Sequence, residues 1–136
     1  MSLVVDASIT LAWCFRDEQN AYAHRMFRRL EDESAVVPGV WLLEIANGLV
    51  IAERRGRLSR AEVAEVRGVL EDLPITWQEL TLDVALGPVV DLARAQGLSA
   101  YDAAYLELAM REGVPLATQD EALRAAAQRV GVPLVD

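Results

Sequence analysis

The chain has 136 residues, which suits one ordinary domain and leaves no room for a second full one. Apolar residues make up 53% and charged residues 25%, so there is a core to bury, and intrinsic disorder is excluded. The net charge of −8 argues against nucleic-acid binding unless something cationic intervenes.

Along the chain, short apolar runs alternate with longer helical segments. Leu3-Val4-Val5 predicts a first strand that stops at Asp6. Ser8 to Phe15 predicts a short helix, and Asn20 to Glu33 a longer one. Ala35-Val36-Val37 predicts a second strand, halted by Pro38-Gly39. Val40 to Arg55 reads as a helix ended by Gly56, with Leu42, Ile45, Leu49 and Ala52 as its buried stripe. Ser59 and Glu62 form a capping-box pattern that opens a helix to about Leu73. Ile75-Thr76-Trp77 is a third strand candidate. Thr81 to Gln96 is helical and stops at Gly97. Ser99 and Asp102 open another helix, to about Glu112 and Gly113. Val114 to Ala117 is the fourth strand, Asp120 to Arg129 a helix closed by Gly131, and Val132 to Val135 a fifth strand.

Strands alternating with helices imply parallel crossovers with helices on both sheet faces. The strands read as continuously apolar (Leu3-Val4-Val5, Ala35-Val36-Val37), as expected when both faces are covered. Residues 1–136 are therefore read as a single α/β domain, a three-layer α/β/α sandwich around a mostly parallel sheet of about five short strands. The longest run without charge, Ser34–Leu43, has ten residues. A membrane helix needs ~20, so none is expected. The N-terminal stretch has no basic region, and its apolar run ends at Asp6, so no secretory signal is expected in it. A single cysteine offers no disulfide framework, and a reducing cytoplasmic setting is the expectation.

Residue types narrow the chemistry. All 13 basic residues are arginine, which removes any mechanism built on a lysine. One Cys and one His rule out a zinc site made of several such ligands in one chain. His24 reads as a structural or solvated side chain, and Cys14 as a small core residue. Trp41 reads as core packing ahead of base stacking. The arginine groups 25, 28, 29 and 54, 55, 57, 60 have acid partners at helical spacing (Arg28 with Asp32, Arg29 with Glu33, Glu53 with Arg57), so no RNA site is assigned to them. Glu107 and Arg111 read as an ordinary surface pair.

Four acids stand out. Ligands of open α/β sheets gather beyond the carboxyl ends of the strands, where Asp6 and Asp120 fall. Glu44 is the only charge in the thirteen residues Val40–Ala52, with Asn47 on its face. Asp102 sits in the first turn of an otherwise apolar helix. Singly, Asp6, Asp102 and Asp120 are each explained by helix capping. Glu44 is not, because a carboxylate in an apolar helix needs a partner or a cation. As one cluster, the four would repel one another unless a cation sat among them. Hard oxygen ligands suit Mg²⁺ or Mn²⁺, and the matching chemistry is phosphodiester hydrolysis.

These segments resemble the PIN-domain ribonucleases, specifically the VapC-type toxins of toxin–antitoxin pairs. Val4-Val5-Asp6-Ala7-Ser8 is similar to the family's opening V-D-x-S. Trp41–Asn47 resembles its conserved-acid helix. Leu98–Leu106 resembles L-S-x-Y-D-A-x-Y-L, and Leu116–Leu123 resembles L-x-T-x-D-x-x-L. The resemblance implies metal-dependent endoribonuclease activity with Mg²⁺ or Mn²⁺. By position it implies catalytic Asp6, Glu44, Asp102 and Asp120, with the metal on Asp6, Asp102 and Asp120 and polar support from Ser8 and Thr118. Glu44 would bind metal directly, bind it through water, or orient the nucleophile. An RNA substrate, a homodimer and a small VapB-type antitoxin are implied as partners. Two other readings compete. A haloacid-dehalogenase-like phosphatase would want D-x-D where Ser8 now stands, and a catalytically silent PIN-like scaffold would serve protein binding alone. A receiver domain is disfavoured by its missing lysine.

Overall fold

The computed structural model describes residues 1–18 and 20–136. Its centre is a four-stranded parallel sheet in the order β3-β2-β1-β4. The strands are β1 (Ser2–Val5), β2 (Ser34–Pro38), β3 (Ile75–Gln78) and β4 (Leu116–Ala117). Leu3 pairs with Ala35, Val4 with Val36 and with Leu116, and Val5 with Ala117. Leu3, Val4, Val5, Ala35, Val36 and Val37 are all buried. Strands covered on both faces can be apolar on both, as these central segments of β1 and β2 are, whereas the edge strand β3 exposes Thr76 and Trp77.

The helices are α1 (Ala7–Cys14), α2 (Ala21–Arg29), α3 (Val40–Arg54), α4 (Arg60–Asp72), a short α5 (Leu82–Val84), α6 (Val90–Gln96), α7 (Ala100–Glu112) and α8 (Glu121–Val130). They fall into two packing groups, one of α1 to α4 and one of α6, α7 and α8, with α7 lying directly on β1 and β2. Every residue of α7 from Ala103 to Ala109 is buried. The Ser59 capping box at α4 forms in both directions: the Ser59 hydroxyl accepts from Glu62 N at 3.1 Å, and Glu62 Oε1 accepts from Ser59 N at 3.0 Å. No helix among the described residues is long and apolar enough to cross a membrane.

Several expectations are corrected. The fifth strand shrinks to a single bridge between Leu134 and Leu116. Pro133 lacks an N–H, so only Leu116 N to Pro133 O (2.9 Å) and Val135 N to Leu116 O (3.0 Å) remain. Pro115 likewise shortens β4 to two residues. The helix predicted over 81–96 is interrupted by a π-helical turn, Ala85–Val89, around Pro88, whose missing N–H breaks the regular ladder. On α3, Ile45 and Ala52 are buried as expected, but Leu42 is 41% exposed. Gly48 lies on that helix facing α1; a Cβ there would come within 2.8 Å of the Leu11 methyls.

The ion pairs also differ from helical spacing. Arg29 pairs with Glu33 at 2.7 Å. No ion pair joins Arg28 to Asp32 or Glu53 to Arg57. Arg57 instead reaches Asp17 at 2.8 Å and lies 4.3 Å over the Phe15 ring, adding a cation–π contact to the charge pair. Glu107 is buried rather than superficial, and Arg111 Nε and Nη2 donate to both its oxygens at 2.9–3.4 Å. Removing Arg111 strands a buried charge. Arg111→Ala is therefore expected to cost about 1–2 kcal/mol in a denaturant melt, the lower part of the range because solvent reaches the guanidinium. Arg67→Ala, at the exposed Arg67–Glu71 pair, is expected to leave the midpoint unchanged, and equal losses at the two sites would contradict this reading of Glu107.

Candidate active site

The register Val5↔Ala117 brings the ends of β1 and β4 together. Asp6 and Thr118 emerge there side by side, with Asp6 N donating to Ala117 O at 3.2 Å. Both residues are buried. The Asp6 carboxylate accepts from Ser8 Oγ at 2.6 Å and from Ile9 N at 3.0 Å through Oδ1, and from the Thr118 hydroxyl through Oδ2. Thr118 Oγ1 in turn accepts from Asp120 N at 3.1 Å. Ser8 and Thr118 thus both aim hydroxyl protons at Asp6.

Asp120 is exposed and caps α8, accepting from Leu123 N at 2.9 Å. Asp6 caps α1 in the same way through Ile9 N. Asp102 lies in the first turn of α7, where its N–H donates to Ser99 Oγ at 3.1 Å. The capping roles and the clustered acids are therefore compatible, because a helix N-terminus at a strand's carboxyl end places a carboxylate beside the same space.

Glu44 projects from α3, half-buried, and Tyr105 OH donates to its Oε1 at 2.6 Å. Burial pushes the Glu44 carboxyl above the ordinary 4.5; the Tyr105 bond opposes this, and the charges of Asp102 and Asp6 add to it. Asp102 is held above the ordinary 3.8 by burial and by the charges of Asp120 and Asp6, against the Ser99 hydrogen bond. The four acids thus occupy one electrostatic neighbourhood, although they come from β1, α3, α7 and the β4–α8 turn. Among the described residues, no three His, Cys, Asp or Glu side chains are drawn close enough to enclose a cation as they stand. The donor set is oxygen-only, which suits a hard cation such as Mg²⁺ or Mn²⁺ and not zinc.

Sequence reasoning missed Tyr105. The available signal was its spacing, three residues after Asp102 and hence on the same helical face. The other candidates lie apart from these acids. His24 is exposed. Cys14 is half-buried, its thiol pushed up to about 11 by burial, so it stays protonated. Trp41 is buried, with its indole N–H on Thr10 Oγ1 at 3.2 Å, a core contact that leaves no face for a base. Asn47 is exposed.

Raised carboxyl values set the sign of a pH effect. Between the ordinary and the raised values the folded state binds more protons than the unfolded chain, so these groups remove stability as pH rises through that window. Glu44→Gln deletes one of them while keeping an acceptor for Tyr105. The variant is expected to gain on wild type in thermal melts with EDTA as pH rises above 4.5, and a pH-independent difference would refute the assignment. Tyr105→Phe is expected to cost about 1–2 kcal/mol in the same melts, and less in a Glu44→Gln background, where the acceptor is uncharged. Equal costs in both backgrounds would show that the bond does not serve the charge.

Comparison with known proteins places the chain in a family. Residues 3–129 match the PIN domain. Ribonuclease VapC3 of Pyrobaculum aerophilum is 32% identical over 126 residues, covering 90% of this chain and 92% of that one. The crystal structure of PAE2754 from Pyrobaculum aerophilum superposes with a TM-score of 0.67 at 27% identity, over 93% of this chain and 79% of that one. VapBC2 from Rickettsia felis, solved bound to a DNA fragment from its promoter, shares the fold with a TM-score of 0.69 at 11% identity, over 99% and 98% of the two chains. These matches displace the haloacid-dehalogenase-like reading. The chain belongs to the PIN-domain family, among its VapC-type members.

Proposed function

We propose that the protein is a metal-dependent endoribonuclease, the toxin of a VapBC-type pair, which hydrolyses RNA phosphodiester bonds at Asp6, Glu44, Asp102 and Asp120. The observation that carries this reading is the convergence of four carboxylates from four separate chain segments at the edge where β1 and β4 end, with like charge adding to burial in raising Glu44 and Asp102. Such an arrangement costs stability unless a cation relieves it. The relative named Ribonuclease VapC3 supports RNA as the substrate class. The VapBC2 likeness supports a small VapB-type antitoxin as partner. A cytoplasmic homodimer is part of the same proposal.

Asp6, Asp102 and Asp120 would hold Mg²⁺ or Mn²⁺. When bound, such a cation supplies positive charge beside the scissile phosphate and acidifies water. The chain's own residues do the rest. Ser8, Thr118 and Ile9 N fix the Asp6 carboxylate in one orientation. Tyr105 fixes Glu44, whose raised affinity for protons suits it to take one from an attacking water. Asp120, exposed at the rim, leaves its side open to an entering RNA strand.

Structured RNA incubated with the protein and millimolar Mg²⁺ or Mn²⁺ is expected to be cut, and EDTA to stop the cutting. Asp6→Asn keeps the shape and removes the charge. It is expected to fold and to lose about a hundredfold or more in rate, the scale of one preorganised charge in a site. Because a ligand of the folded state alone stabilises by about 2.7 kcal/mol at a hundred times its Kd, the cation should raise the wild-type thermal midpoint, and should raise it much less in Asp6→Asn. Intact cleavage by a folded Asp6→Asn protein would remove Asp6 from the site. Absence of cleavage with every divalent cation would favour the silent scaffold.

A further inference from the structure

We propose that Arg124 and Arg25, with Tyr22 between them, form a shelf that holds a backbone phosphate of the RNA substrate, next to the one being cut. The inference rests on the ribonuclease reading above and assigns that site a substrate-binding flank. Arg124 Nη1 donates to Thr118 O at 2.8 Å, and the Thr118 hydroxyl donates to Asp6. The guanidinium is thereby anchored on the residue that orients the buried acid. Arg25 lies over the Tyr22 ring at 5.6 Å. Tyr22 is tied down by its OH on Val135 O at 2.7 Å, and it feels the charges of both Arg124 and Asp6. A pocket of about 450 Å³ opens between these residues.

Arg124 has no acid partner among the described residues. It follows Asp120 by four residues and Glu121 by three, the spacing at which helical ion pairs form. Arg29, Arg67 and Arg111 each make such an i,i+4 pair in this chain. Arg124 makes none among the described residues, because the Asp120 carboxylate is committed to Leu123 N and the guanidinium turns back to the end of β4. Arg25 has no ion pair among the described residues. Glu121 and Asp136 also line the pocket, and neither forms an ion pair with either arginine. In a chain of net charge −8, two arginines beside an acidic site, neither ion-paired among the described residues, leave a cationic place for a polyanion that the acids repel. The bond to Thr118 takes one of the five N–H donors a guanidinium carries, leaving a fork suited to phosphate oxygens.

The test is the affinity of a fluorescein-labelled single-stranded RNA oligonucleotide, measured by anisotropy in EDTA at several salt concentrations. Arg124→Gln and Arg25→Gln are each expected to weaken binding about fivefold to tenfold, and to flatten the dependence of log affinity on log salt by about 0.7, the share of one phosphate contact on a single strand. Arg124→Lys should keep the salt dependence. Arg67→Gln, the same charge change on α4, should bind as wild type. In cleavage with metal, Arg25→Gln, which removes the guanidinium over the Tyr22 ring, should raise KM and leave kcat within twofold. Thermal melts of each variant separate lost folding from lost binding. A wild type that binds and cuts RNA, with Arg25→Gln and Arg124→Gln indistinguishable from it in affinity and salt slope, overturns the shelf alone. A wild type that binds no RNA at any salt overturns the shelf together with the ribonuclease reading.

Discussion

The hydrogen bond from the Thr118 hydroxyl to the Asp6 carboxylate joins the ends of the two strands on which the site is built. β1 pairs with β2 on one side and β4 on the other, and β4 has only two residues, so few ladder bonds hold the β1–β4 seam. The side-chain bond extends that seam one residue past the last backbone pair. It also sets the direction of everything attached. Asp6 opens α1, and Thr118 receives the Asp120 N–H at the opening of α8 and, through its carbonyl, the Arg124 guanidinium. Thr118 and Asp6 are both buried, so the bond between them is held where water cannot substitute for either partner.

Around that joint, local and global demands on the same side chains agree in geometry and conflict in charge. Helix capping favours a carboxylate at the openings of α1 and α8 and in the first turn of α7, because the unpaired N–H groups there carry partial positive charge. Each cap stabilises its own helix. Bringing the caps Asp6 and Asp120 to one edge with Asp102 and Glu44 sets the four against one another, and that like charge adds to the burial that chiefly raises Glu44 and Asp102. Proteins tolerate such conflicts chiefly at sites that do chemistry. The apolar core that surrounds the edge, with α7 buried across seven consecutive residues, is what holds the repelling groups in place.

Much of this was legible in the sequence, and the limits are physical. The alternation of Leu3–Val5, Ala35–Val37 and Ile75–Trp77 with helical segments identified β1, β2 and β3, β1 and β2 because both-face burial leaves an unbroken apolar run, and the edge strand β3 by its β-branched and aromatic residues. The caps at Ser59, Ser99 and Asp120 identified helix starts, because capping is a local bond between near neighbours in sequence. The fifth strand failed because hydrophobicity says nothing of donors, and Pro133 has none. Glu107 and Arg57 were misread because helical spacing shows which partners are near, not how deeply they lie or which other chain segment approaches. Tyr105 and Arg124 escaped for a related reason. Their roles depend on Glu44, 61 positions earlier, and on a carbonyl at the end of a strand, contacts that no periodicity encodes.

The arginines show how an acidic chain keeps its charges sorted. Three ion pairs use a guanidinium to hold a carboxylate in a partly buried or bidentate geometry: Glu33 by Arg29, Glu107 by Arg111, and Asp17 by Arg57. Such pairs take acids out of circulation as free negative charge, away from the edge where β1 and β4 end. At that edge the pattern reverses. Asp6, Glu44 and Asp120 take their hydrogen bonds from hydroxyls and backbone N–H groups, which orient a carboxylate without cancelling its charge. A neutral donor preserves the field that a guanidinium would neutralise. The edge therefore keeps its negative charge because the hydrogen bonds to Asp6, Glu44 and Asp120 come from Ser8, Thr118, Tyr105 and backbone N–H groups, while the nearby Arg124 donates to the Thr118 carbonyl and not to an acid.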